Sequence, residues 1–157
     1  MATATKKYFS GSSFWDAKAL IDAAHVLVAS DTDALRSQIA DRLEQHGYEV
    51  SRARCGLEVL GHMGSPAPKP TAQEPVDLIV LDISNNPWVG LAILEAIRRQ
   101  DWALPVILVT GKANDTIRAE ARRLGVQEMF DRPVDPETLT AAVLSIEPPI
   151  ETYSLCA

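Results

Sequence analysis

Apolar residues in this chain fall into short continuous runs separated by longer segments of mixed polarity. The runs at 25–29, 76–81 and 105–109 are rich in Val, Ile and Leu, as expected of strands that are covered on both faces. Segment 48–51 alternates between apolar and polar residues, and 126–130 is a further short segment of strand character. The pattern therefore predicts five strands.

Between these segments, apolar side chains recur at the three- and four-residue spacing of a helix face. The stripes consist of Leu35, Ile39 and Leu43; Leu91, Leu94 and Ile97; Ile117, Ala121 and Leu124; and Leu139, Val143 and Ile146. A further short helix is expected around Leu57, Val59 and Leu60. Thr32 or Asp33 can cap the first of these helices. Asp135 and Pro136 are typical of an N-cap and a first helical position, and Gly47 and Gly125 are typical of helix ends. We therefore expect a helix after each strand.

Five strands that alternate with five helices predict an α/β fold, because strand–helix–strand units build a parallel sheet with helices on both faces. We expect a doubly wound five-stranded parallel sheet with the strand order 2-1-3-4-5. The domain spans residues 25–147, preceded by an N-terminal extension, 1–24, with a helix over Phe14 to Ala24, and followed by a C-terminal tail, 148–157. Segment 64–75 is rich in proline, which predicts an extended and mobile insertion.

The composition narrows the class of protein further. With 46% hydrophobic and 23% charged residues the chain is typical of a globular domain, and its net charge of −6 argues against a nucleic-acid or anionic membrane surface. Cys55 and Cys156 lack the spacing of a zinc site, so reduced thiols and a cytoplasmic location are expected. The glycines match neither a P-loop nor a dinucleotide fingerprint, and no histidine follows a predicted strand, which argues against a hydrolase triad.

Polar residues follow the predicted strands at the edge where ligands bind in doubly wound sheets. Ser30 and Asp31 follow the first strand, Asp82 and Thr110 end the third and fourth, and Arg132 follows the fifth. Two neighbouring carboxylates repel each other unless a cation or a proton intervenes, and Mg²⁺ is a cation that prefers oxygen ligands. A carboxylate can then attack a phosphoryl group, while a hydroxyl and a fixed cation bind the phosphoryl oxygens.

Each of these residues also has a simpler interpretation. Asp82 is compatible with a residue that caps a turn, and Asp31 with a cap of the first helix. Thr110 is compatible with an ordinary β-branched strand residue, and Arg132 with a surface cation near Asp131. The residues therefore indicate a functional site only when all of the strand-end positions are considered together.

Taken together, the segments resemble the receiver domain of bacterial response regulators, which has a flavodoxin-like fold. The resemblance is carried by His25-Val26-Leu27-Val28 before Asp31, by Leu78 to Asp82, by Pro105 to Thr110 and by Arg132-Pro133. It implies that Asp82 is the phosphoacceptor of a histidine kinase or phosphotransfer protein. It also implies that Asp31, Asp82 and the backbone carbonyl of Ser84 are ligands of Mg²⁺, and that Thr110 is the hydroxyl that follows the phosphoryl group.

The chain departs from the family pattern at several of these positions. Ser30 stands where the family has a first acid, and Arg132 stands where it has a lysine. The aromatic switch position is Met129, with Phe130 one residue later, and Asn85-Asn86 follow Asp82 where a Met-Pro pair is usual. We expect Mg²⁺ to bind weakly, since one of the usual carboxylates is absent.

Three functions are consistent with these residues. The first is a single-domain receiver protein of a phosphorelay, not an enzyme, which signals by contact with a downstream protein; the eleven residues after Ile146 predict no DNA-binding output domain. The second is a phosphorylation-independent pseudo-receiver that acts as a protein-interaction module. The third is a flavodoxin-like flavin binder, which the strand-end loops do not favour because they lack a Ser/Thr-rich phosphate cradle.

Overall fold

The computed structural model describes residues 21–63, 76–83, 86–111 and 113–152. The strands in these ranges are β1 (Ile21–Ala23), β2 (His25–Ser30), β3 (Glu49–Ala53), β4 (Leu78–Asp82), β5 (Val106–Thr110), β6 (Glu128–Asp131) and β7 (Ile150–Thr152). The helices are α1 (Asp33–Gln45), α2 (Gly56–His62), α3 (Pro87–Gln100), α4 (Asp115–Arg123) and α5 (Pro136–Ile146). No helix in these ranges has the length and hydropathy that a membrane crossing requires.

Strands β2 to β6 form one parallel sheet in the order β3-β2-β4-β5-β6. This is the predicted order 2-1-3-4-5, so the predicted doubly wound fold is confirmed. In the register of the sheet, Ser30 lies beside Asp82 and Thr110 beside Asp131. The carboxyl ends of the strands therefore meet at one edge, where the predicted site residues lie.

Alternate side chains of each strand pack against helices on opposite faces of the sheet, as the two-residue period requires. On β4, Ile79 and Leu81 belong to the core cluster that includes residues of α2, α3 and α4. Leu78 and Val80 belong to the second cluster, with residues of α1 and α5. All five residues of β4 are buried, so Asp82 ends a strand that is covered on both faces.

The helix ends follow local chemistry, largely as predicted. Asp135 is the N-cap of α5, where its carboxylate accepts a hydrogen bond from the backbone N–H of Glu137 at 3.4 Å. Thr32 is the N-cap residue of α1, although its side chain makes no capping bond. Gly47 and Gly125 have φ angles of 96° and 72°, a left-handed conformation that glycine adopts at little cost. These residues set where α1 and α4 end.

The helix predicted over Phe14 to Ala24 is wrong for residues 21–23, and its earlier part lies outside the described residues. Strand β1 pairs antiparallel with β7, and the N–H of Ala24 donates to the carbonyl of Pro149 at 2.8 Å. A backbone partner more than a hundred residues away in the chain has overridden the local pattern. The predicted insertion, 64–75, also lies outside the described residues and stays a prediction.

Candidate functional site

Asp82 lies at the centre of the carboxyl edge of the sheet, where only 1% of its surface is exposed. Arg132 donates from Nε to Oδ1 of Asp82 at 2.7 Å, and its NH2 group contacts the same oxygen. Ser30, which is fully buried, donates from Oγ to Oδ2 at 3.3 Å. Each oxygen of this carboxylate therefore has a partner from another strand end, Ser30 from the adjacent β2 and Arg132 from β6, which lies two strands away.

Burial raises the pKa of the Asp82 carboxyl, because the charged form loses hydration. The hydrogen bonds and charge of Arg132, with a smaller contribution from Ser30, favour the charged form and oppose the increase in pKa. Repulsion from Asp31 adds to the increase. The net effect is upward, so the fold holds an ionisable group in a place that is unfavourable for its charge, which is common at functional sites.

Asp31 lies at the rim of the site, and 43% of its side chain is exposed. Its Oδ1 is 3.7 Å from NH2 of Arg132 and accepts a long hydrogen bond, 3.5 Å, from Oγ1 of Thr32. The predicted pair of carboxylates is thus brought together around one guanidinium. Asp31 faces solvent, whereas Asp82 does not.

Arg132 follows β6, and its position is set by the backbone of the adjacent strand. Its N–H donates to the carbonyl of Thr110 at 2.9 Å, and the Arg132–Pro133 peptide bond is cis. The side chain is 20% exposed and extends from Asp82 to Asp31. Arg132 is therefore part of the site and not a separate surface cation, even though Asp131 precedes it in the sequence.

Thr110 is buried at the end of β5, but its hydroxyl is not directed to Asp82 in this structure. It donates to the carbonyl of Gly111 at 3.4 Å, and the residue contributes to the site through its own carbonyl, which holds Arg132. Ser84, the predicted carbonyl ligand, lies outside the described residues. The structure thus brings together Asp31, Asp82 and Arg132, and leaves the predicted roles of Thr110 and Ser84 as predictions.

Arg36, to which the sequence pattern assigns no role, supports the connection between β2 and α1. Its NH1 group donates to the carbonyl of Ser30 at 2.7 Å, and its NH2 group pairs with Asp33. The i,i+3 spacing of Asp33 and Arg36 signals their ion pair, but only the fold shows that Arg36 reaches back to β2.

A pocket of about 380 Å³ opens over this cluster. Its lining consists of Thr32, Leu35, Asp82, Arg132, Pro133 and Val134. Asp82 is therefore part of the pocket wall despite its low exposure. The pocket leaves space for a small anionic group beside the guanidinium of Arg132, with the buried Asp82 in its wall.

The arrangement does not fit a divalent cation as it stands. The described residues contain no cluster of three His, Cys, Asp or Glu side chains that could hold a metal ion. Asp31 offers an accessible carboxylate, but Oδ1 of Asp82 is already held by two nitrogens of Arg132. A metal ion would have to displace an arginine that is built into the site.

Comparison with known proteins decides the family. The sequence profile described as the response regulator receiver domain matches residues 26–144. This chain belongs to the response regulator receiver family. Receiver domains are signalling modules of two-component systems, in which an aspartate is phosphorylated and Mg²⁺ generally binds at the same place.

Individual relatives agree with this assignment. A probable transcriptional regulatory protein of Picosynechococcus is 31% identical over 121 residues, which are 75% of this chain and 47% of the relative. Protein PilH of Pseudomonas aeruginosa is 27% identical over 128 residues, 78% of this chain and 97% of PilH. In contrast to PilH, the first curated relatives that this chain matches are about twice as long as the part that the chain spans.

Solved structures support the same fold. A CheY-like receiver domain protein of Methanospirillum hungatei aligns with a TM-score of 0.67 and 23% identity, and covers 79% of this chain and 93% of that protein. The predicted flavodoxin-like receiver fold is thereby confirmed. Membership of the family also leaves the flavin-binding alternative without support.

Proposed function

We propose that this receiver domain accepts a phosphoryl group on Asp82 and signals by contact with another protein. The observation that carries the proposal is the position of Asp82, which is buried at the carboxyl end of the central strand yet forms part of the wall of an open pocket beside Arg132. A rigid strand that presents a carboxylate to a cation-lined pocket suits nucleophilic attack on an anionic donor.

In this proposal the attacking atom is Oδ2, because Ser30 holds it only by a long hydrogen bond while Arg132 holds Oδ1. The new bond joins Oδ2 to phosphorus, and the bond from phosphorus to the donor's leaving group breaks, which leaves an acyl phosphate. Arg132 then pairs with the phosphoryl oxygens, and Thr110 turns its hydroxyl from Gly111 toward them. Mg²⁺ would bind weakly, with Asp31, Asp82 and the carbonyl of Ser84 as ligands, and only after Arg132 has released Oδ1 of Asp82.

Receiver domains interact with histidine kinases and with downstream effectors. For this chain we propose a sensor histidine kinase or a phosphotransfer protein as the donor. The proposed output surface consists of α4, β6 and α5. The predicted single-domain organisation and cytoplasmic location stay predictions.

Incubation with a small phosphodonor and Mg²⁺, read by intact mass, tests the proposal. The native protein should gain the mass of one phosphoryl group, and Asp82→Asn should not. Asp131→Asn is a matched control, because Asp131 also ends a strand of the sheet but pairs with Arg118 outside the site. It should be modified like the native protein. Equal modification of Asp82→Asn would exclude Asp82 as the acceptor.

A second candidate function is the phosphorylation-independent pseudo-receiver. The observation that favours it is that both oxygens of Asp82 already have partners, one of which, Ser30, stands where the family has an acid. In this case the native protein should gain no phosphoryl mass, and Asp82→Asn should bind the downstream partner as the native protein does. Loss of partner binding in Asp82→Asn would argue against it.

A further inference from the structure

The guanidinium of Arg132 occupies the space between the two carboxylates of the site. Nε is 2.7 Å from Oδ1 of Asp82, NH2 contacts that same oxygen, and NH2 is 3.7 Å from Oδ1 of Asp31. The arginine is only 20% exposed and Asp82 only 1%. Arg132 is therefore held inside the site and touches the oxygen that a metal ion would also need.

The energetics of burial explain why this contact persists. Removing a charged carboxylate from water costs much free energy unless a nearby cation compensates the charge. Two nearby carboxylates also repel each other. Arg132 compensates Asp82 directly and lies close enough to Asp31 to reduce the repulsion. A divalent cation at this place would perform the same electrostatic task. The two cations are therefore alternatives.

A planar guanidinium suits this task better than an ammonium group. It presents several N–H donors in a fixed fork, so that two nitrogens reach one oxygen of Asp82 while NH2 also faces Asp31. The backbone of Arg132 is anchored to Thr110, which limits how far the side chain can withdraw.

We propose that Arg132 is the resident counter-cation of the site and competes with Mg²⁺ for Oδ1 of Asp82, so that the metal binds only when the guanidinium moves away. This inference deepens the proposed function and rests on the same carboxylate. It assigns Arg132 a regulatory role before phosphorylation, in addition to binding the phosphoryl group afterwards.

The test is a Mg²⁺ titration of the native protein and of Arg132→Gln by calorimetry, with melting temperatures measured alongside. Arg132→Gln should bind Mg²⁺ at least about tenfold more tightly, because one opposing charge at contact distance is gone. Without Mg²⁺, the melting temperature of Arg132→Gln should be lower than that of the native protein. Added Mg²⁺ should raise it far more than it raises that of the native protein. Adding Asp31→Asn to Arg132→Gln should abolish the gain in affinity.

The control is Arg118→Gln, which also removes one arginine charge. Arg118 pairs with Asp131, the residue that precedes Arg132. It should leave Mg²⁺ affinity unchanged. If Arg132→Gln does not fold, Arg132→Lys keeps the charge but not the fork, and should bind Mg²⁺ several-fold more tightly than the native protein. Unchanged affinity in the folded Arg132 variants, or an equal gain in Arg118→Gln, would overturn the inference.

The titration is independent of phosphoryl transfer, so the two proposals can fail separately. If the native protein gains phosphoryl mass on Asp82 but the Arg132 variants bind Mg²⁺ no more tightly, the proposed function stands and the counter-cation role of Arg132 is rejected. If the native protein gains no phosphoryl mass but the Arg132 variants bind Mg²⁺ more tightly, the counter-cation role stands and the proposed function is rejected.

Discussion

At the scale of single residues, Tyr48 shows how one buried hydroxyl links distant parts of the fold. It follows α1, is 4% exposed, and donates from its hydroxyl to the carbonyl of Glu147, just after α5, at 2.5 Å. Burial, and then the negative charge of Glu147, raises the pKa of Tyr48 to about 12. An unfolded tyrosine titrates near pH 10. The folded protein therefore holds this proton more tightly than the unfolded chain.

Replacing Tyr48 by Phe should change how stability depends on alkaline pH. The contribution from neutral Tyr48 is fully present below about pH 10 and is lost as the pH rises through about 12, with a total on the order of 2–3 kcal/mol. Tyr48→Phe should be about 1 kcal/mol less stable at neutral pH, where the hydrogen bond is lost, and should decline less between pH 10 and 12. Urea unfolding across this range measures both effects. Parallel declines in the two proteins would contradict the assignment.

At the scale of elements, Arg98 holds the end of α3 to two connecting segments. Arg98 is only 2% exposed. Its guanidinium donates to the carbonyls of Asp101 and Leu104, which precede β5, and to those of Leu124 and Gly125, which follow α4. Four carbonyls thus share one guanidinium, where the shortest of these bonds are 2.6 Å. Arg98 therefore joins the end of α3 to both segments through hydrogen bonds.

Arg98→Met should therefore destabilise the protein strongly. The buried hydrogen bonds to the carbonyls of Leu104 and Leu124 and the partly buried ones to Asp101 and Gly125 are lost. We expect a cost of about 3 kcal/mol, or roughly 6–12 °C in melting temperature for a domain of this size. Thermal unfolding measures the loss. The neighbouring Arg99→Gln is the control, since Arg99 is 78% exposed and pairs only loosely with Glu95 at 3.7 Å, so its melting temperature should stay nearly unchanged. Similar losses in both variants would show that charge, and not these hydrogen bonds, matters.

At the scale of the whole molecule, signalling requires that a change at Asp82 reach the proposed output surface of α4, β6 and α5. The resemblance to receivers implies an aromatic ring at the position of Met129 that moves inward as Thr110 follows the phosphoryl group. Met129 is partly buried against the cluster that includes residues of α3 and α4. A flexible methionine can fill such a space in several ways, so two states of the protein differ less in packing. A modification shifts populations only as far as it distinguishes the states.

We therefore expect a damped response to phosphorylation or to a beryllofluoride mimic. Changes in NMR chemical shift should concentrate near Asp82, Ser84 and Thr110 and should be small over α4 and α5. Met129→Tyr combined with Arg132→Lys should enlarge the response of the output surface. Large shifts across that surface in the native protein would contradict the idea, and so would a double variant that responds no more than the native one.

The sequence by itself determined the sheet and most of the site. Continuous apolar runs and helical stripes are local signals of strands covered on both faces and of helices that pack on them, and parallel topology places all strand ends at one edge. For this reason the sequence alone places Asp31, Asp82 and Arg132 in one group. The N-cap at Asp135 followed from local backbone chemistry in the same way.

The tertiary structure decided the features that depend on contacts between distant residues. Pairing of β1 with β7 requires a backbone partner that no local pattern reveals, and it replaced the helix expected at residues 21–23. The direction of the Thr110 hydroxyl and the reach of Arg132 to both carboxylates depend on side-chain conformations set by neighbouring strands. Sequence periodicity fixes which face a residue lies on, whereas hydrogen-bond partners are chosen by three-dimensional proximity, which local sequence does not encode.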